Sequence, residues 1–408
     1  MAKLQGRSGR LRVCFNIRAL LSSRSKILRL PRFCCLKRRP ELLMGDNSDN
    51  NNPVGADVSE LRMSELRITN DFGYIVYYLY MRTTLCSRIL WNDNGLAVIS
   101  ARTMDWPEST QPVLTVLPRG MKRDGGIADG QVIVKDNLAR WTSKFGSMVT
   151  TVYGIGTADG FNERGLGVHM LYLSATDFGP RNPAKPGVHA GLWSQFLLDT
   201  AATVTEALAL LDTVQVVMVE ANGHKATVHL AIEDANGDSA IIEFVNGARV
   251  VYHGPEYRIM TNDPTYDQQL ALLKKQDFSK PSSDMPLPGN VKATDRFQRA
   301  AYFAAMLPKP QTEREAVASV LAIARNVSVP FGTPYKDFGI YNTEYRTAMN
   351  LTDKRYFFEL TTSPNVIWAD LRKFELAPGW PVMILDPDNI NLSGDVTEKF
   401  QKAANAPF

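Results

Sequence analysis

From residue 86 onward, short apolar runs alternate with clusters of turn residues, and the spacing of the runs predicts most elements. Segment 86–106, CSRILWNDNGLAVISARTMDW, sets two apolar runs on either side of Asn94-Gly95. That pair favours a tight hairpin turn, so the segment predicts strand, turn, strand. Residues 114–117 are a short apolar run. Runs 146–157 and 167–173 predict a second hairpin about the Gly/Asn/Glu turn at 162–165. Residues 193–211 carry Trp193, Phe196, Leu197, Ala201, Val204, Ala207, Leu208 and Leu211 at helical spacing and predict one helix. Further on, 227–244 predicts a hairpin about Asn236-Gly237, and 250–260 a strand. Segments 296–307 and 312–324 predict helices; 341–351, 355–361 and 365–370 predict strands. Strand runs and helix runs are segregated. That implies an α+β fold with antiparallel sheets, not a doubly wound parallel sheet.

The first 85 residues have another character. Residues 1–40 hold twelve of the 46 basic residues and no acid; the first acid is Glu41. The rest of the chain is therefore mildly acidic, and nucleic acid is not an expected partner. An Arg-rich, acid-free start resembles a transit peptide. Residues 45–57 (GDNSDNNNPVGAD) have linker composition, and the apolar run 72–81 (FGYIVYYLYM) is too short to span a bilayer. It fits the apolar core of a secretion signal, and no other membrane-spanning candidate exists. The expectation is that 1–85 is a leader, linker and short apolar segment, removed or lying before a later start at Met44, Met63 or Met81. Residues 86–408 form the working domain, and the expected location is exported, in the periplasm or outside the cell.

The cysteines divide the same way: Cys14, Cys34 and Cys35 fall in the basic segment and Cys86 stands alone in the body. The body can form no internal disulfide and no four-cysteine zinc site. The glycines at 154, 156 and 160 lack dinucleotide-fold spacing and read as a tight turn. There is no phosphate-binding loop and no G-x-S-x-G elbow. His169, His189, His224, His229 and His253 show no metal-binding spacing. The residues alone leave open a Cys-His dyad and an acid pair of Asp105 with Glu108.

The order C-S-R at 86–88 and A-R-T-M-D-W at 101–106 resembles the start of the mature chain in the choloylglycine hydrolase and penicillin V acylase family. Three later blocks agree in order: D-G-F-N-E-R-G-L-G at 159–167, M-T-N-D-P-T-Y-D at 260–267 and D-R-F-Q-R at 295–299. The resemblance implies a four-layer αββα sandwich of antiparallel sheets, the fold of the N-terminal-nucleophile (Ntn) hydrolases. It implies a cysteine nucleophile at Cys86, freed at its amine. Arg102 would favour the thiolate, and Asp105 would hold the α-amine. Asn262 and the backbone N–H of Tyr172 would form the oxyanion hole, and Arg296 would add positive charge. Trp106 would line an acyl pocket. Implied too are a small-molecule N-acyl amide substrate and no cofactor or metal; members are often homotetramers. The stretch R-T-M-D-W-P-E-S at 102–109 is closer to the penicillin V acylase side than to bile salt hydrolases or acyl homoserine lactone acylases. The competing class is a catalytically silent sandwich tethered to membrane or nucleic acid by the basic leader.

Overall fold

The computed structural model describes residues 85–332, 334, 335, 339, 340 and 342–408, with two short strands near the start, Lys3–Gly6 and Leu11–Cys14. The chain forms two units, residues 1–72 and 73–408. In the first, the two short strands pair antiparallel with Lys3 opposite Cys14. The polar linker at 45–57 and the apolar run at 72–81 lie outside the described residues.

The second unit is built on two sheets. The first has seven strands in the order β10 (Ile259–Thr261), β1 (Leu85–Trp91), β2 (Ile99–Trp106), β11 (Asn342–Asn350), β12 (Arg355–Leu360), β13 (Ile367–Asp370) and β15 (Gly394–Asp395). All its neighbours are antiparallel except the last pair. The second has nine antiparallel strands in the order β9 (Ala248–His253), β8 (Ser239–Val245), β7 (Val228–Glu233), β6 (Gly167–Tyr172), β5 (Gly156–Asn162), β4 (Ser147–Val152), β3 (Leu114–Leu117), β14 (Met383–Leu385) and β16 (Gln401–Lys402).

Helix α1 (Ala190–Thr200) lies on β5 and β6, with α2 (Val204–Leu210) beside it. Helices α4 (Ala293–Met306) and α5 (Glu313–Asn326) cover β10, β1, β2 and β11. The layers are thus helix, sheet, sheet, helix. Alternation along each strand feeds two apolar layers. Leu230 and Ile232 of β7 pack with Trp193 and Leu197 of α1. Ala231, between them, faces the first sheet and joins the larger core with Ile89, Phe161 and Tyr345. Strands covered on both faces lose their polar side, which is why they read as unbroken apolar runs.

The structure departs from the sequence expectation in four places. The run 146–157 is interrupted at Tyr153 and Gly154, whose φ values of 50° and 65° end β4 and begin β5. The single helix expected over 193–211 is two. Thr203 breaks it by turning extended and accepting the Glu206 N–H as the cap of α2. The strand expected over 250–260 splits after His253, and its halves β9 and β10 belong to different sheets. Helix α3 (Tyr266–Leu273) is additional; it buries only Tyr266 and Gln269, so it lacks the apolar stripe that would announce it.

Candidate active site

Strands β1 and β2 pair with Cys86 opposite Met104, Ser87 opposite Thr103 and Arg88 opposite Arg102. Side chains alternate across a strand, so Cys86, Arg102 and Met104 share the face toward the second sheet. Ser87, Thr103 and Asp105 share the other, toward the helices. Strand β10 pairs with β1 in a register that sets Thr261 opposite Ser87, which delivers Asn262 to the end of β1. Arg296 enters from the first turns of α4. One hairpin and two segments distant from it in sequence therefore meet at Cys86.

Every member of this cluster is buried. Cys86 is 2% exposed, and Arg102, Asp105, Asn262 and Arg296 are 0% exposed. Arg102 Nη2 donates to Cys86 Sγ at 3.4 Å and to Met104 Sδ at 3.5 Å. Its Nη1 donates to the carbonyls of Ala158 at 3.1 Å and Met170 at 3.2 Å, which aims the guanidinium from the second sheet. The Cys86 backbone N–H donates to Asn262 Oδ1. Asn262 Nδ2 donates to the Tyr172 carbonyl at 2.7 Å. Arg296 Nη2 donates to Asn262 Oδ1 at 3.1 Å, and Nη1 to the Cys86 carbonyl at 2.7 Å and to Ser87 Oγ. Arg296 also pairs with Asp105 at 3.4 Å. Asp105 accepts from Thr343 Oγ1 at 2.5 Å and Thr103 Oγ1 at 3.1 Å.

These contacts set the local charge balance. Burial pushes the Cys86 thiol above its ordinary pKa, and Arg102 beside it works in the opposite sense. Burial opposes the charge on Arg102, yet the sulfur next to it keeps the guanidinium firmly protonated. Burial also raises Asp105, with Arg296 and then the Thr343 and Thr103 hydroxyls pulling it back. The sulfur's described hydrogen-bond partners are Arg102, Met104 and Asp105, none of them histidine. Among the described residues, no three His, Cys, Asp or Glu side chains gather as a metal ion would need.

A cavity opens over Cys86, Arg102 and Met104. Its walls are chiefly apolar, with Val152, Ile155, Met170, Leu171, Val219 and Val228 among them. The half-buried rings of Trp106, Tyr153, Tyr172 and His224 complete it. An apolar chamber with a few convergent polar groups at one end is the usual form of a small-molecule site.

The model of the linear amide C–N hydrolases of the choloylglycine hydrolase family matches residues 86–398. The chain is 36% identical to penicillin V acylase from Pectobacterium atrosepticum over 319 residues, 72% of this chain and 82% of that protein. The structure of penicillin V acylase from Agrobacterium tumefaciens superposes with a TM-score of 0.70 at 37% identity, covering 79% of this chain and 98% of that one. Conjugated bile acid hydrolase from Clostridium perfringens, at 20% identity, shares the fold with a TM-score of 0.65, covering 78% of this chain and 100% of that one.

The chain belongs to the choloylglycine hydrolase family. It is a hydrolase of linear amide C–N bonds on the four-layer Ntn sandwich. Cys86, Arg102, Asp105, Asn262 and Arg296, expected at the site from sequence, converge within hydrogen-bonding reach of one another. Tyr172 touches the cluster through its carbonyl. Leu173 N–H donates to the Thr227 carbonyl just before β7, so ladder alternation turns the Tyr172 N–H away from β7, on the side of its own carbonyl. Trp106 lies on the cavity. Of the two nearby arginines on α4, Arg296 turns in, while Arg299 donates outward to the Pro288 and Asn290 carbonyls.

The sequence reading of this hydrolase missed Ser87, Thr103, Met104 and Thr343. Thr103 and Met104 carry a signal in hindsight, since they flank Arg102 and Asp105 on one strand. Thr343 carries none, because it reaches Asp105 across 238 residues through the pairing of β11 with β2.

Proposed function

We propose that Cys86 is the nucleophile of this hydrolase, that it acts with a free α-amine once the residues before it are removed, and that the substrate is a penicillin V-like N-acyl amide. The observation that carries the reading is the double hold on Cys86. Its sulfur lies against a buried guanidinium and its backbone nitrogen against Asn262. A residue gripped at both its nucleophile and its nitrogen is suited to serve as attacking group and base at once.

The chemistry follows from that pairing. The Cys86 thiol attacks the amide carbon and its proton passes to the α-amine, whose ordinary pKa of about 7.7–8.0 suits a base near neutral pH. The carbonyl oxygen gathers charge facing the Asn262 amide and the Tyr172 N–H. The C–N bond breaks, the amine leaves with the proton, and a thioester remains on Cys86. Water then attacks the thioester, the acid departs, and the thiol is restored. While Leu85 is still attached, the nitrogen is an amide and takes no proton. Arg102 offsets the burial that holds the thiol protonated.

The penicillin V preference rests on the two acylases at 36% and 37% identity and on the apolar cavity beside the sulfur. Purified protein should release phenoxyacetate from penicillin V faster than it cleaves glycocholate, and Cys86→Ala should abolish both. Full turnover by Cys86→Ala would sink the nucleophile assignment. Faster glycocholate cleavage would reverse the substrate order.

A further inference from the structure

Strands β4 and β5 are joined by a turn in which Ile155 N–H donates to the Val152 carbonyl at 3.1 Å, and both central residues, Tyr153 and Gly154, have positive φ. A two-residue turn of that kind ordinarily takes Asn-Gly or Gly-Gly. A bulky aromatic residue in the left-handed region is uncommon and persists where its surroundings over-determine it. Here the surroundings are a chain of side chains around the cavity. Trp106 Nε1–H donates to the Tyr153 hydroxyl at 2.6 Å, and that hydroxyl donates to Glu108 Oε1 at 2.8 Å. The same carboxylate oxygen lies 3.4 Å from His224 Nε2. The Trp106 ring meets His224 and Tyr172 edge to face, with centroids 5.1 and 6.2 Å away. Tyr153 N–H donates to the Thr110 carbonyl at 2.9 Å, tying the turn to the segment that follows β2. Burial, then the bond to Glu108, raises the phenol pKa, so the hydroxyl keeps the proton it donates.

We infer that Tyr153 is a positioning residue that fixes the Trp106 indole as a rigid wall of the acyl cavity and thereby sets selectivity for flat acyl groups over flexible ones. The inference rests on the amide-hydrolase reading of Cys86. An indole held at its N–H and at two ring edges cannot turn to follow a guest. A planar acyl group gains from a wall already in place, because no ordering is left to do on binding. A linear alkyl chain adapts to whatever wall it meets and gains less from a fixed one.

The test compares phenylacetyl and hexanoyl amides of one amine. Tyr153→Phe removes only the hydroxyl. It should lower the ratio of kcat/KM for phenylacetyl over hexanoyl by about 3- to 10-fold, the size expected for one hydrogen bond. In the same protein, the Trp106 indole N–H resonance, assigned with Trp106→Phe, should lose its protection from solvent exchange. Glu108→Gln still offers an oxygen to Tyr153 and should leave the ratio within about twofold of the parent, as a rescue by the conservative change. A Tyr153→Phe ratio that stays within twofold, an indole signal that does not move, or a parallel loss on both amides would overturn the inference. Failure of the functional reading shows elsewhere: the unmutated protein would then cleave neither amide.

Discussion

Asn262 has two ends and each is committed. Its oxygen takes the Cys86 N–H and Arg296, and its nitrogen gives to the Tyr172 carbonyl. One side chain thus bridges the strand of Cys86, helix α4 and the strand that carries Tyr172. The account makes its amide a donor to the developing oxyanion, a group whose loss typically costs about 10²–10³ in kcat. Asn262→Ala should fall in that range, with KM much less affected, in steady-state assays on penicillin V. A loss below about tenfold would mean that the amide serves only to hold the strands together. Cys86, Arg102 and Asp105 were legible through the resemblance, which the hairpin predicted about Asn94-Gly95 supports by placing them on paired strands. By itself Arg102 reads as a surface charge on a strand and Asp105 as a turn residue. Asn262 and Arg296 were legible only through the resemblance. Without it, Asn262 reads as a turn residue before Asp263-Pro264, and Arg296 as a surface charge.

Elements are held here by close approaches that only small residues permit. At the start of β5, a Cβ on Gly156 would lie 1.9 Å from the Gly191 carbonyl oxygen in the first turn of α1. No flexible side chain can yield there, because the clash is with backbone. Gly156→Ala must therefore push α1 off the sheet, and overpacking of this kind costs about 1–3 kcal/mol or more. Urea unfolding should show the loss as a lower midpoint with an unchanged slope. An unchanged midpoint would contradict this packing. The same approach shapes the cavity, since Ile155 and Gly191 both line it. Hairpins at Asn94-Gly95 and Asn236-Gly237 were readable, because those pairs prefer positive φ. The turn at Tyr153-Gly154 was not, because tyrosine is no turn former and its placement depends on Trp106 and Glu108. The break in the helix run at 201–203 was hidden too, because the apolar spacing continues across Thr203.

At the scale of the molecule, two sheets lie face to face with Cys86 on the inner face of one and the cavity wall on the other. The α+β class followed from segregated strand and helix runs, but the stacking order did not. Sheet neighbours such as β2 and β11 are separated by more than 200 residues, and nothing local records which strands meet. In the proposed mechanism the Cys86 nitrogen acts as a free α-amine, yet 85 residues precede it. The direct measurement is the N-terminal residue of the purified, active protein, by intact mass and terminal sequencing beside a penicillin V assay. The account predicts active molecules that begin at Cys86, with activity proportional to their fraction. Full activity in chains that still carry Leu85 would contradict it, because the nitrogen assigned as the base would be an amide.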